Sequence, residues 1–145
     1  MTPKQRAEQS AQAMWKDDNA SVWFGIELVT VDMDFAVMRL IVQSHHVNGL
    51  GICHGGITFA LADSAFAFAC NSRNHRAVAQ HNNISYLAPA STGDTLTATA
   101  TQISLTGRSG ITDVVVKNQN DVIIALFRGA SRMINGQLFE EITSK

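Results

Sequence analysis

A four-residue apolar stripe at helical spacing near the start of the chain predicts a helix over Pro3–Asp18. The stripe consists of Ala7, Ala11, Met14 and Trp15. Thr2 can cap this helix. Pro3 suits its first turn, because backbone N–H groups in a first turn have no acceptor within the helix and proline has no N–H to leave unpaired. The segment is expected to pack over one side of the domain.

Stretches rich in Val, Ile, Leu, Phe and Thr predict strands on both sides of a central apolar segment. Gly25–Val31 and Phe35–Val42 form a predicted hairpin, with a turn over 32–34. One face of its first strand is expected to carry Ile26, Leu28 and Thr30. Three or four sequential strands follow the segment, within Ala77–Leu87 (ended by Pro89), Thr95–Leu105, Ile111–Asn118 and Val122–Ile134. Because short turns join these strands, an antiparallel sheet is expected.

The segment between the strands is apolar on almost every side and carries one carboxylate. It begins near His54 or Gly55 and fades at Asn71. A helix without a polar face must be covered all round, so the sheet is expected to wrap it in one α+β domain over residues 1–145. Asp63 has no basic residue three or four positions away. Since an unpaired buried charge is costly, Asp63 is a candidate for function rather than packing.

Composition excludes several classes of function. Hydrophobic residues make up 46% of the 145 residues and charged residues 16%, which predicts a solid core. The net charge is −1 and no basic run is interleaved with aromatic residues, so nucleic-acid binding is not expected. No apolar run is long enough to span a bilayer, and residues 1–18 lack a signal-peptide core. The two scattered cysteines, Cys53 and Cys70, suit a reducing compartment, so a cytoplasmic protein is predicted.

Gly55 and Gly56 open the apolar helix, where backbone N–H groups lack partners inside the helix and the helix dipole is positive. Glycines let a carbonyl oxygen or an oxyanion approach those N–H groups closely. The alternative is a tight turn packed against the chain itself. Gly55 and Asp63 are eight residues apart, which is about 12 Å along a helix. Reacting atoms must come within about 3.5 Å, so both can serve one site only if Asp63 comes from a second subunit.

The remaining candidates for chemistry are weaker. Asn48 can hydrogen-bond a substrate carbonyl or a water, or it can cap its own loop beside Gly49. His54 is interpreted as a structural or orienting residue. The cysteines and histidines lack the spacing of zinc ligands, so no metal site is predicted. The motifs GxSxG and GxGxxG are absent, which disfavours a serine hydrolase and a dinucleotide-binding protein.

Several motifs together resemble the PaaI branch of the hotdog-fold acyl-CoA thioesterases. The first runs from Asn48 through Cys53-His54-Gly55-Gly56 to Asp63 and on to Asn71. The likeness extends to residues 93–100 and 125–129 and so covers nearly the whole chain. It implies a hotdog fold, in which an antiparallel sheet wraps one long central helix, and hydrolysis of acyl-CoA thioesters such as phenylacetyl-CoA or hydroxyphenylacetyl-CoA.

The resemblance also implies a role for each matching residue. Gly55 is expected to donate its backbone N–H to the thioester carbonyl, and Asp63 to be the nucleophile or the general base. Asn48 is expected to position the substrate or the attacking water, with His54 in support. Asp and Gly of one site come from different subunits in this family, so a homodimer is required and a homotetramer is expected. No cofactor is implied beyond the CoA of the substrate.

Further residues are candidates for substrate binding. Gly56 is expected to contact the substrate, Phe59 to line the pocket of its acyl group, and Arg108 and Arg128 to hold the CoA phosphates. The alternatives are core packing for Phe59 and a solvated surface charge for each arginine.

One stretch departs from the family pattern. Some relatives carry a helping Ser or Thr on the strand after the central helix, whereas residues 79–83 here read Ala-Gln-His-Asn-Asn. His81 or Asn82 is the candidate substitute for that Ser or Thr.

Two other functions stay open. One is a non-catalytic acyl-CoA binding or sensing module, which the intact Gly55 and Asp63 disfavour. The other is an acyl-CoA hydratase or dehydratase, whose Asp–His pair is not found.

Overall fold

The computed structural model describes residues 1–141 and contains one six-stranded antiparallel sheet. The helices are α1 (Pro3–Trp15), α2 (Asn19–Phe24) and α3 (Gly55–Cys70), with a 3-10 turn at Ser44–His46. The strands are β1 (Ile26–Asp32), β2 (Phe35–Ile41), β3 (Ala77–Tyr86), β4 (Thr95–Thr106), β5 (Ser109–Lys117) and β6 (Ile123–Met133). Their order in the sheet is β1-β2-β4-β5-β6-β3. The predicted α+β arrangement with an antiparallel sheet is confirmed.

Helix α3 packs into the concave face of the sheet, against strands from β1 to β6. Leu61, Ala62, Ala65 and Ala69 are fully buried, and small side chains let the strands approach the helix closely. Gly129 of β6 has the same function, because a methyl group there would lie 2.7 Å from the ring of Phe66. Among the residues described, no helix is long and apolar enough to cross a membrane.

The prediction for the first helix is wrong at its C-terminal end. Thr2 caps α1 as expected, in a capping box with Gln5. The helix ends at Trp15, however, and Asp18 starts α2 by accepting a hydrogen bond from the N–H of Ser21 at 3.0 Å. Gly25, with a φ of 82°, terminates α2 in the left-handed conformation that glycine adopts without strain.

The prediction for the first strand also needs correction. A bulge between Leu28 and Thr30 shifts the alternation of β1, so Val31 is buried and Thr30 is exposed. At the other end of the sheet, β3 lies within the predicted Ala77–Leu87 and ends at Tyr86. The last strand in the chain, β6, is the neighbour of β3, and the connection over 87–94 leads back across to β4.

Strand β3 is an edge of the sheet. It pairs with β6 along one side, and seven of its ten residues are exposed. The free side presents backbone N–H and C=O groups that another strand can pair with. Residues of β3 that pair with inward-facing residues of β6 point their side chains towards α3. In the second half of β3 these are Asn82, Ile84 and Tyr86.

Candidate active site

The N-terminus of α3 leaves one backbone donor available. His54 caps the helix, and its Nδ1 accepts a hydrogen bond from the N–H of Gly56 at 2.8 Å. The backbone N–H of Ile57 donates to the carbonyl of His54 at 2.9 Å. The N–H of Gly55 donates to no acceptor among residues 1–141. It therefore points out of the helix as a free donor at the positive end of the helix dipole.

Gly55 lines a cleft of about 400 Å³. It is lined by Asn48, Ile52, Cys53, Gly55, Thr58, Tyr86, Leu87, Ala88, Pro89, Ala90 and Ile124. Most of these side chains are apolar, which suits a hydrophobic group attached to a polar one. Gly55 and Asn48, both candidates from the sequence, line the same cleft within one chain.

The side-chain oxygen of Asn48 stabilises its own loop, and its side-chain nitrogen remains available to a ligand. Its Oδ1 accepts the N–H of Leu50 at 2.9 Å and that of Ile52 at 3.4 Å, which holds the loop before the helix. Its Nδ2 donates to no acceptor among the residues described, and the side chain lines the cleft. The two interpretations of Asn48, capping its loop and binding a ligand, are therefore compatible. The oxygen of the amide holds the loop, and the nitrogen can donate to a carbonyl oxygen.

Asp63 lies half-buried on the next turns of α3, against Asn82 of β3. The Nδ2 of Asn82 donates to the Oδ1 of Asp63 at 2.9 Å. Burial raises the pKa of the Asp63 carboxyl, and the hydrogen bond from Asn82 lowers it in part. The Oδ1 of Asn82 is buried and has no partner among the residues described. A carboxylate with a raised pKa in a partly buried position is a candidate general base or nucleophile.

A bulge in β3 decides which side chain meets Asp63. Ala79 pairs with Ser131 and His81 with Ala130, so Gln80 is the extra residue between them. In a regular strand His81 would follow Ala79 on the side facing α3, but the extra residue turns Asn82 inward instead. Of the two candidates from the sequence, Asn82 therefore contacts Asp63, and His81 is exposed.

The structure does not bring Asp63 to the Gly55 cleft of the same chain. Both residues lie on α3, and their eight-residue separation corresponds to about 12 Å of helical rise. Asp63 is not among the residues that line the cleft. One chain thus carries a backbone donor beside an apolar cleft and, apart from that cleft, a carboxylate with its amide partner.

Comparisons with known proteins identify the family. Residues 50–125, which include α3 with Gly55 and Asp63, match the family model of the thioesterase superfamily. The chain is 43% identical over 137 residues to the protein named acyl-coenzyme A thioesterase PaaI of Escherichia coli K12, a match that covers 94% of this chain and 97% of the relative. This chain belongs to the thioesterase superfamily.

Solved structures support the same assignment of this thioesterase. The structure of the E. coli PaaI protein from the phenylacetic acid degradation operon matches with a TM-score of 0.92 and 41% identity, over 94% of this chain and 99% of that one. The phenylacetic acid degradation protein PaaI of Thermus thermophilus matches with a TM-score of 0.78 and 32% identity, over 81% and 100% of the two chains. The predicted PaaI-type resemblance, hotdog fold and thioesterase class are confirmed.

The other predicted binding residues lie outside the cleft of the same chain. Phe59 is half-buried and packs edge-on against Phe127, with the ring centres 5.6 Å apart. Arg128 lies on the outer face of the sheet, where Asp113 accepts hydrogen bonds from its Nε at 2.6 Å and from a terminal nitrogen at 2.9 Å. Arg108 is exposed in the turn between β4 and β5, near Met133 at the far end of β6.

Sequence reasoning did not single out Tyr86, which lines the cleft beside Gly55. Its hydroxyl donates to the carbonyl of Gly55 at 2.8 Å. An available signal was the alternation of β3, because Tyr86 is four residues from Asn82 and shares its face of the strand. The missing information was which of the two faces meets the helix.

His46 supports the loop that carries Asn48. Its ring is buried, its Nδ1 accepts the N–H of Gln43 at 3.0 Å, and its Nε2 lies 2.8 Å from the carbonyl of Phe24. Because Nδ1 is an acceptor, the neutral ring carries its proton on Nε2 and donates it to Phe24. Burial and the neighbouring His45 lower the pKa of His46, although the carbonyl of Phe24 opposes this in part.

This lowered pKa predicts a loss of stability in mild acid. The unfolded chain binds a proton near the ordinary value of 6.5 and the folded protein does not, so the free energy of unfolding falls as pH drops through 6.5 and levels off below the folded pKa. We expect His46→Gln to reduce that slope by at most about 1.4 kcal/mol per pH unit, the value for one proton. Urea unfolding from pH 7.5 to 5 measures it, with the exposed His75→Gln as control. Equal slopes in all three proteins would contradict the assignment.

Proposed function

We propose that this thioesterase hydrolyses acyl-CoA thioesters, with aryl-acetyl groups such as phenylacetyl or hydroxyphenylacetyl as the preferred acyl part. The observation that carries the proposal is the N–H of Gly55, which has no acceptor among residues 1–141 and belongs to a residue that lines an apolar cleft. Such a donor can bind a thioester carbonyl and stabilise the negative oxygen that forms when the carbonyl is attacked. The printed names of two relatives, an acyl-coenzyme A thioesterase and a protein of the phenylacetic acid degradation operon, support the substrate class.

In this proposal each residue of the cleft has a separate task. The N–H of Gly55 and the Nδ2 of Asn48 donate to the carbonyl oxygen of the substrate. His54 holds the first turn of α3 through the N–H of Gly56, so Gly56 acts by its backbone and leaves the Gly55 donor to the substrate. The apolar cleft walls receive the acyl group. Phe59, one turn along α3, is kept as a further candidate for contact with it.

The attacking carboxylate comes from a second copy of the chain. Support comes from the edge strand β3, which carries Asn82 beside Asp63 and Tyr86 beside Gly55. Two β3 strands paired antiparallel about a two-fold axis near Ile84 would set Asn82 of the partner subunit opposite Tyr86, one strand spacing of about 4.8 Å away. Asp63 of the partner subunit would then face the Gly55 cleft. Pairs of such dimers forming a tetramer belong to the same proposal.

The same pairing gives Arg108 a role that its own chain does not. In the paired strands, the first residues of the partner's β3 lie beyond Tyr86, close to the opening of the cleft. The turn that holds Arg108 of the partner subunit lies near those first residues and would therefore approach the same opening. An arginine there can hold a phosphate of CoA. Arg128, paired with Asp113 on the outer face, is the weaker of the two predicted phosphate ligands.

Two chemical routes are compatible with this arrangement. Asp63 either removes a proton from a water that attacks the carbonyl carbon, or attacks it directly to form an anhydride that water then cleaves. In both routes the C–S bond breaks, the acyl group leaves as the free acid, and the CoA thiolate takes up a proton. A single turnover in heavy-oxygen water tests for the anhydride, because its cleavage at the Asp63 carbonyl places the label in Asp63, whereas attack by water on the thioester places the label in the released acid. Neither route requires a metal or an added cofactor.

The function is tested by the release of free thiol from phenylacetyl-CoA. We expect catalytic turnover, with a larger kcat/KM for phenylacetyl-CoA than for an alkyl acyl-CoA of similar size. A binding or sensing module would bind phenylacetyl-CoA without releasing thiol, and that result would contradict the proposal.

The unpaired thiols of Cys53 and Cys70 support the cytoplasm as the proposed compartment for this reaction.

A further inference from the structure

The first peptide group of α3 is held from both sides. The Tyr86 hydroxyl donates to the carbonyl of Gly55 at 2.8 Å, and the N–H of Gly56 donates to the Nδ1 of His54, also at 2.8 Å. These two atoms are the C=O and the N–H of the single peptide that joins Gly55 to Gly56. The two hydrogen bonds restrain this peptide, which adjoins the N–H of Gly55.

The ring of Tyr86 packs tightly against Gly55. A methyl group placed on Gly55 would lie 3.0 Å from Cζ and 3.1 Å from the hydroxyl oxygen of Tyr86, so the ring would have to move by a few tenths of an ångström. By contrast, no other atom of residues 1–141 lies within 4 Å of a methyl group placed on Gly49 or Gly51 in the preceding loop. Glycine at position 55 allows the aromatic ring to lie close to the start of α3.

Tyr86 is at the same time a wall of the cleft. It lines the cleft with Asn48 and Gly55, and 53% of its surface is exposed. The ring approaches Gly55 near its hydroxyl end, and the exposed part of its surface is available to a bound group. Burial and the nearby Cys53 raise the pKa of the phenol, so the hydroxyl keeps its proton and remains a donor at neutral pH.

We propose that Tyr86 is a positioning and specificity residue of this thioesterase, whose hydroxyl fixes the Gly55–Gly56 peptide and whose ring is the surface on which an aromatic acyl group packs. The inference rests on the proposed function for its substrate. A flat acyl group gains from an aromatic neighbour in offset or edge contact, and an alkyl chain gains less. The two parts of the side chain therefore act on different kinetic quantities.

Kinetics of Tyr86→Phe and Tyr86→Leu with phenylacetyl-CoA and hexanoyl-CoA separate the two parts. We expect Tyr86→Phe to lower kcat about 3- to 10-fold for both substrates and to keep their kcat/KM ratio, because the lost hydrogen bond acts on the common donor. We expect Tyr86→Leu to shift the ratio against phenylacetyl-CoA by about 3- to 10-fold. Phe35→Leu, an aromatic residue outside the cleft, serves as control. An unchanged ratio in Tyr86→Leu would overturn the specificity role.

A stability measurement tests the contact without any turnover. We expect Gly55→Ala to lower the urea midpoint of the wild-type protein and to have little effect in a Tyr86→Ala background, where the ring no longer meets the added methyl group. Equal shifts in both backgrounds would overturn the close contact between the Tyr86 ring and Gly55. If the wild type released no thiol from any acyl-CoA, the proposed function and the specificity role would fail together, whereas the urea experiment would still decide whether Tyr86 packs on Gly55.

Discussion

Replacing Asp63 with Asn is expected to remove activity while it stabilises the fold. Loss of a general base or nucleophile should lower kcat/KM for phenylacetyl-CoA by roughly 10²- to 10⁴-fold. The Asn side chain has nearly the same shape and can still accept the hydrogen bond from Asn82, so the site should keep its geometry. Thiol release and urea unfolding measured on the same preparations check both expectations.

The gain in stability follows from the raised pKa of Asp63. The folded protein binds this proton more tightly than the unfolded chain, so the free energy of unfolding falls as pH rises from about 3.8 towards the folded pKa, and it stays lower at neutral pH. Asn has no charge to bury and removes that deficit. The exposed Asp17→Asn is the matched control and should change neither quantity. A variant that lost activity together with stability would indicate a packing role for Asp63.

The pH dependence of kcat/KM is a second test of the role of the Asp63 carboxylate. Asn82 lowers the pKa of Asp63 by donating to it, so Asn82→Ala should move the acid limb of kcat/KM to higher pH. Asn83→Ala is the matched control, because the neighbouring side chain points to the other face of the strand. Equal acid limbs in the two variants would mean that another group controls the profile.

The central helix and its carboxylate could be predicted from the sequence because their signal is local. A run that is apolar on every side has to be a covered helix, and a single Asp in it is conspicuous. The constant rise of a helix also predicted that Gly55 and Asp63 are too far apart to act together in one chain. Helix α2 was missed because six residues carry too little periodicity, and its start depends on the side chain of Asp18.

What the sequence could not provide are the consequences of strand pairing. The bulge at Gln80 determines that Asn82, and not His81, faces Asp63, and a bulge depends on the partner strand rather than on the residues themselves. The contact between Tyr86 and Gly55 likewise joins the end of β3 to the start of α3, 31 residues earlier. The strand order, with β3 at an edge beside β6, sets both contacts and was not visible in the hydrophobic pattern.

The most direct test of a site shared between subunits uses purified mixed dimers. Asn48→Asp disables the cleft, because it keeps the Oδ1 that holds the loop but places an acceptor where a donor is needed. Asp63→Asn disables the carboxylate. Each variant alone should be nearly inactive. A dimer with one subunit of each, isolated by two different tags, contains one intact site if Asp63 acts across the interface, and we expect about half of the wild-type rate.

The reciprocal dimer makes the test decisive. It combines a wild-type subunit with one that carries both substitutions, so that in a shared arrangement each site has one defect. We therefore predict near-complete loss of thiol release in this dimer, against recovery to about half in the first. The opposite result, an inactive first dimer and a half-active reciprocal dimer, would show that Gly55 and Asp63 of one chain act together and would contradict the account.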